Sequence, residues 1–302
     1  MTDILKTRLL TIFFVFLVLL SRPCFAGSPP IHYAATIHPL AEIIRELVGS
    51  RGQVIRLLRP GVSPHTFEPT PSEVKMTNQA LALFYAGPGL DKEWAVKLPA
   101  PLKIEVVSLL PSAFSLPMPL TGHSHQDEVH DPEKIRDPHF WTDPLAVRAL
   151  LPMLVETLAL CDPPGRATYE ANSAKFAETL TDLDRELAGT LKPLAGTPLF
   201  LFHPSFQYLF KRYGLNLGGV IENFPGQEPS PRSLVSLVKE IKSSGVATIF
   251  SEPQLSRRPA MIIAEAAGVS VQLLDPVGGD KDRMTYADLL RYNAAALGRA
   301  RP

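Results

Sequence analysis

Short apolar runs alternate with amphipathic stretches along most of the chain. In the first half, Ile31–Thr36, Val54–Leu58, Ala80–Ala86 and Ile104–Ser108 read as strands. Between and after them, Pro39–Leu47, Pro71–Asn78 and Pro144–Leu160 read as helices, each opened by a proline, which suits the first helical turn because its missing N–H has no partner to lose there. The second half repeats the rhythm: strands at Leu199–Phe202, Leu215–Ile221, Ala247–Ser251 and Val269–Leu274, and helices at Pro204–Arg212, Pro231–Ser244, Arg257–Ala267 and Met284–Leu297. Strand and helix in alternation predict an α/β fold of two similar halves, each a mostly parallel sheet flanked by helices.

A different period separates the halves. Tyr169, Ser173, Phe176, Leu180, Leu183, Leu187 and Leu191 recur at steps of three and four, the spacing of one helical stripe. Pro163 and Pro164 precede the stripe and Pro193 closes it. At about 1.5 Å per residue this helix is roughly 35–40 Å long, enough to reach across both lobes as a rigid connector. The expected division is a leader at 1–26, an N-terminal lobe at 27–162 with a histidine-rich loop at 121–136, the linking helix at 163–193, and a C-terminal lobe at 194–302.

The first residues change the picture of where the protein works. Lys6 and Arg8 precede the apolar stretch Leu9–Leu20, followed by Ser-Arg-Pro-Cys-Phe-Ala-Gly. Charged region, apolar core and small-residue site form an export signal, with cleavage expected after about Ala26. Cys24 raises a lipid-anchor alternative, which Arg22 and Pro23 suit poorly. No later stretch reads as long and apolar enough to cross a bilayer. Past the leader only Cys161 remains, so no internal disulfide is expected, and a half-buried structural thiol is the expected role for it. Lysine plus arginine and aspartate plus glutamate number 30 each; the leader takes three bases and one acid, leaving the remainder acidic by two. Without a basic tract, nucleic acid is excluded as a partner.

Candidate chemistry lies in the histidines. His65 stands in Ser-Pro-His-Thr-Phe-Glu-Pro, His139 in Asp-Pro-His-Phe-Trp-Thr-Asp-Pro and His203 in Leu-Phe-His-Pro-Ser-Phe. Each sits where a strand hands over to a loop, the edge on which α/β folds place ligands. Three imidazoles and one oxygen make a plausible tetrahedral zinc site. Glu68 and Asp137 are placed to accept a second imidazole N–H and fix its ring. His32 and His38 lack such company and read as structural. The polar tract from Thr121 carries His123, His125 and His130 among acids, a candidate auxiliary metal-binding loop.

These segments together resemble the periplasmic solute-binding proteins of zinc and manganese ABC importers, the zinc-uptake group. The likeness runs through Pro64–Pro71, Tyr85–Trp94, Asp137–Pro144, Phe202–Phe206 and Leu274–Gly279. The resemblance implies two lobes on a backbone helix with a metal in the cleft. It implies His65 and His139 as ligands from one lobe, and His203 and Asp275 from the other. The imidazole at 203, where manganese members resemble one another in carrying glutamate, together with the histidine-rich loop, implies zinc as cargo. The implied partner is an ABC membrane permease, the compartment the periplasm, the working form a monomer, and the activity transport rather than catalysis. Manganese or iron on the same fold is the alternative cargo. An exported zinc hydrolase is the other rival, but no His-Glu-x-x-His helix supports it, and only Glu68 could serve it as a base.

Overall fold

In the computed structural model, residues 31–118, 135–227 and 229–300 are described. The first half forms a four-stranded parallel sheet in the order β2-β1-β3-β4, from β1 (Ile31–Ala35), β2 (Gly52–Arg56), β3 (Ala82–Tyr85) and β4 (Leu102–Glu105). Helices α1 (His38–Val48), α2 (Pro71–Asn78), α3 (Lys92–Ala95) and α4 (Val106–Leu109) connect or follow these strands. Then come α5 (Pro144–Cys161) and the long α6 (Arg166–Leu191). The second half holds two parallel pairs: β5 (Pro198–Leu201) with β6 (Asn216–Val220), and β7 (Thr248–Ser251) with β8 (Ser270–Leu273). Its helices are α7 (Gln207–Tyr213), α8 (Pro231–Ser244), α9 (Arg258–Ala267) and α10 (Tyr286–Gly298).

Local chemistry explains where these elements start. Thr70 and Glu73 close a capping box ahead of Pro71, so α2 begins where the proline predicts. Asp143 caps α5 by accepting from the Leu145 N–H at 2.8 Å. Two expectations need correction. The apolar run Ile104–Ser108 is not one strand: pairing with β3 ends at Glu105, and the chain turns at once into α4. And α5 is, by length and composition, apolar enough to cross a bilayer, contrary to the sequence reading. Half of it is buried, with Leu150, Leu154 and Leu158 in the core and Pro152 on its exposed side, so it serves as a core helix.

The long helix follows its stripe. Tyr169, Phe176, Leu180, Leu183, Leu187 and Leu191 are buried, while Ser173 is only half covered. Its start is tied down by Asp162, which accepts from Arg51 Nη2 at 2.7 Å and from the Tyr169 hydroxyl at 2.6 Å. One continuous apolar core runs from the first sheet through α5 and α6 to β5, α7 and α10, and a smaller one lies among β5–β8, α8 and α9. Hydrogen bonds also cross between the halves. Trp141 Nε1 donates to the Pro276 carbonyl at 2.8 Å, and the Tyr286 hydroxyl donates to the Trp141 carbonyl at 2.7 Å. A shared core with such ties permits only small relative movement.

His38 is one of these ties. The Arg56 guanidinium has only donors, so at 3.1 Å it fixes His38 Nδ1 as an acceptor, leaving Nε2–H to donate to the Arg283 carbonyl at 3.2 Å. The ring is therefore neutral, and burial, followed by the charge of Arg56, lowers its pKa from 6.5 to about 4. The unfolded chain takes up a proton that the folded chain refuses, so stability is full above pH 6.5 and falls as the pH drops toward 4. The expected loss at this group is on the order of 3 kcal/mol. Urea unfolding of the metal-free protein across that range should show it, with a shallower pH slope in His38→Asn. Equal slopes in the two proteins would contradict the assignment.

Candidate metal centre

Two loops that follow parallel strands and the turn that leads into α5 bring the histidines together. His65 lies in the 3-10 turn Pro64–Thr66 that follows β2. His139 directly precedes the turn Phe140–Thr142 that leads into α5. His203 comes two residues after β5 ends. Their candidate ligand atoms all lie within 4.8 Å of one another. The ring centroids are 5.9 Å apart for His65 and His139, 5.3 Å for His65 and His203, and 5.4 Å for His139 and His203.

Each ring is held from behind by an oxygen at Nδ1. His65 Nδ1 donates to the Gly89 carbonyl at 2.8 Å. His139 Nδ1 donates to Asp137 Oδ1 at 2.7 Å, and the His139 backbone N–H donates to the same oxygen at 2.9 Å. His203 Nδ1 stands 2.7 Å from Glu252 Oε1, a close contact that is poorly aligned for a hydrogen bond as it stands. Carbonyl and carboxylate oxygens only accept, so the proton of each neutral ring sits on Nδ1 and the lone pair on Nε2. This is the tautomer a metal requires, and partners of this kind raise ligand basicity. His203 Nε2 is buried with no hydrogen-bond partner among the described residues.

The electrostatics suit a dication. Burial, then the charges of His203 and His139, hold the His65 pKa well below 6.5, so this ring needs to lose no proton before it coordinates. The carboxylates of Asp137 and Glu252, 0% and 3% exposed, stand behind their imidazoles and together match a charge of two. With Zn–N bonds of about 2.0–2.1 Å at tetrahedral angles, nitrogens come to roughly 3.4 Å apart, so ligand atoms already within 4.8 Å of one another need only a small inward adjustment to grip the ion. The donor set fits zinc.

The remaining expected residues fall out differently. Asp137 lies in contact with His139, and its Oδ2 also accepts from Gln207 Nε2 at 3.0 Å. Glu68 does not hold His65: it is exposed, and a backbone carbonyl takes that place, because the Gly87-Pro88-Gly89 turn folds back over the imidazole. Gly89 has φ 74°, a backbone region that favours glycine. Asp275 is absent from the converging group. Its Oδ1 accepts from Gln254 Nε2 at 2.6 Å and from the N–H groups of Val277 and Gly278 at 3.0 and 2.8 Å, while Oδ2 pairs with Arg283 Nε at 3.0 Å. In this geometry its oxygens are committed elsewhere. His123, His125 and His130 lie outside the described residues. Glu252 was missed in the sequence reading, although it follows a strand end and precedes a proline, as His203 does.

Comparison with known proteins agrees with this architecture. Residues 34–300 match the family described as "Zinc-uptake complex component A periplasmic". The zinc-binding protein AdcA of Streptococcus pyogenes serotype M3 is 25% identical over 97% of this chain, and the chain spans 60% of that relative's length. The high-affinity zinc uptake system protein ZnuA of Brucella abortus is 26% identical, over 87% of this chain and 89% of the relative. A solved structure described as "Crystal structure of ZnuA" superposes with a TM-score of 0.76 at 27% identity, covering 90% of this chain and 99% of that one. The chain belongs to the periplasmic zinc-uptake component A family.

Proposed function

We propose that this protein captures Zn2+ outside the cytoplasmic membrane and hands it to the permease of an ABC importer. The observation that carries the reading is the convergence of His65, His139 and His203, each with its Nδ1 turned to an oxygen and its Nε2 left for a metal. Family membership supports the transport role, since solute-binding proteins present cargo to a membrane partner. The leader expected at 1–26 supports export to the periplasm; in this reading the lobes are 27–162 and 194–302 on either side of a helix at 163–193, and the working form is a monomer. The ligands come from both sides of that helix, so the ion ties the lobes and marks the loaded form for the permease.

Nitrogen donors favour zinc over manganese, which prefers more oxygen. Among the described residues, no group beside the three imidazoles stands ready as a general base, since Asp137 and Glu252 are turned to imidazole Nδ1 atoms; this favours carriage over hydrolysis. Competitive titration of the protein with zinc and manganese, together with elemental analysis after purification without added metal, tests the assignment. One zinc per chain, held at least a hundredfold more tightly than manganese, is the expected result. Preference for manganese, or no bound metal, would overturn it.

A further inference from the structure

We propose that Asp91 is the positioning residue for His65: it ties the end of the four-stranded sheet to the turn whose Gly89 carbonyl holds that ring for the metal. The inference rests on the zinc reading above and adds a residue that acts on the ion only through another. Asp91 is 0% exposed. Its Oδ2 accepts from the Thr36 hydroxyl at 2.6 Å and from the Ala86 N–H at 2.9 Å, and its Oδ1 accepts from the Gly87 N–H at 2.9 Å. Thr36 directly follows β1, and Ala86 and Gly87 directly follow β3, so one carboxylate fastens two neighbouring strand ends.

What it fastens leads straight to His65. The Gly87 carbonyl receives the N–H groups of Leu90, Asp91 and Lys92 at 3.4, 3.3 and 3.3 Å, which closes the turn. Gly89, at φ 74°, lies within it and turns its carbonyl to His65 Nδ1 at 2.8 Å. Asp91 also precedes α3, where Trp94 Nε1 donates to the Pro64 carbonyl at 2.9 Å. The same indole packs edge-on against Phe67, with ring centroids 4.9 Å apart. The segment from Ala86 to Trp94 therefore holds His65 twice, at its ring and at the residue before it. His139 and His203 take their Nδ1 partners from the carboxylates of Asp137 and Glu252, so the Asp91 linkage serves His65 alone.

Stability does not explain a charge at this position. Burial pushes the Asp91 pKa up to about 6 against the pull of its donors, so an ionised carboxylate here weighs against the fold at neutral pH. An amide of the same shape carries no such penalty, yet it cannot hold the turn. The groups facing Asp91 all donate, two to one oxygen and one to the other, whereas asparagine offers one oxygen and an NH2 group. The Thr36 hydroxyl can rotate to accept, but a backbone N–H cannot. Whichever way the amide turns, its NH2 meets the N–H of Ala86 or of Gly87, and that end of the turn loses its buried partner.

Zinc affinity and the proton spectrum of the cobalt-loaded protein test this together. Each imidazole bound through Nε2 carries an Nδ1–H proton that paramagnetic cobalt shifts clear of the other protons, and its oxygen partner shelters it from exchange with water. The three histidines of the unmodified protein should give three such signals. Asp91→Asn should lower zinc affinity roughly tenfold, the lower edge of what losing an outer partner does. It should also broaden or abolish one of the signals, that of His65, while those of His139 and His203 persist. Thr36→Val keeps the carboxylate and removes one of its donors; it should weaken the same signal to a smaller degree, and it carries the test if Asp91→Asn does not fold. Equal weakening of all the signals would mark a general loosening of the fold and overturn the inference, as would intact signals with unchanged zinc affinity. An unmodified protein that takes up no zinc and shows no shifted signals would remove the zinc reading itself, and this inference with it, so the two failures are distinct.

Discussion

Replacing His139 with alanine lowers zinc affinity by at least about a thousandfold, more than the ten- to hundredfold typical when only an outer partner of a ligand is lost. His139 is 6% exposed, and its ring is the one held most firmly, with Asp137 Oδ1 bonded both to Nδ1 and to the backbone N–H. Removing the imidazole takes away one of three nitrogens and leaves the Asp137 charge without the ring that relays it to the ion. Gln207 still donates to Asp137 Oδ2, and the Tyr208 hydroxyl to the Asp137 carbonyl, so the loop itself should hold its shape. Competition against a chromophoric chelator measures the loss, and circular dichroism checks the fold. Glu252→Gln, which keeps every ligand but neutralises the charge behind His203, should lose only about ten- to hundredfold. An affinity for His139→Ala within threefold of the unmodified protein would remove this residue from the shell.

The difference between those two variants is also the difference between what the chain declares openly and what only the fold discloses. Three histidines beside prolines, at or near the ends of apolar runs, stand out in the sequence because imidazole is the commonest side-chain metal ligand. The brace behind each ring is harder to find. Asp137 shows itself by lying two residues from His139. Glu252 is forty-nine positions from His203 in the chain and meets it only because β5 and β7 lie side by side. The carbonyl of Gly89 has no side chain to notice, and Glu68 attracted attention merely by being near His65. Asp275 entered only through the family resemblance, and its commitment to Arg283 and Gln254 depends on tertiary placement. For the elements, period and proline located α2 and α8 to the residue. The Ile104–Ser108 run misled because β-branched residues favour strands, whereas the end of a strand is decided by its pairing, which stops at Glu105.

Zinc at a hundred times its dissociation constant should stabilise the folded protein by about 2.7 kcal/mol, because the ion binds the converged histidines and not a chain in which they are dispersed. For a chain of this size that corresponds to a rise in melting temperature of roughly 5 °C. The histidines come from segments that follow β2, precede α5 and follow β5, so unfolding either half releases the ion. The rise should therefore be nearly absent in His203→Ala, which removes a ring whose buried Nε2 has no hydrogen-bond partner among the described residues. It should also shrink in acid, since a protonated imidazole cannot coordinate. His65, held neutral by burial and its neighbours, contributes no proton to that competition near pH 6.5. Scanning calorimetry with and without zinc, at pH 7.5 and again at pH 5, separates these effects from the pH dependence of His38, which is present without metal. A zinc-induced rise that survived loss of His203 undiminished would show that the ion binds somewhere other than between these three rings.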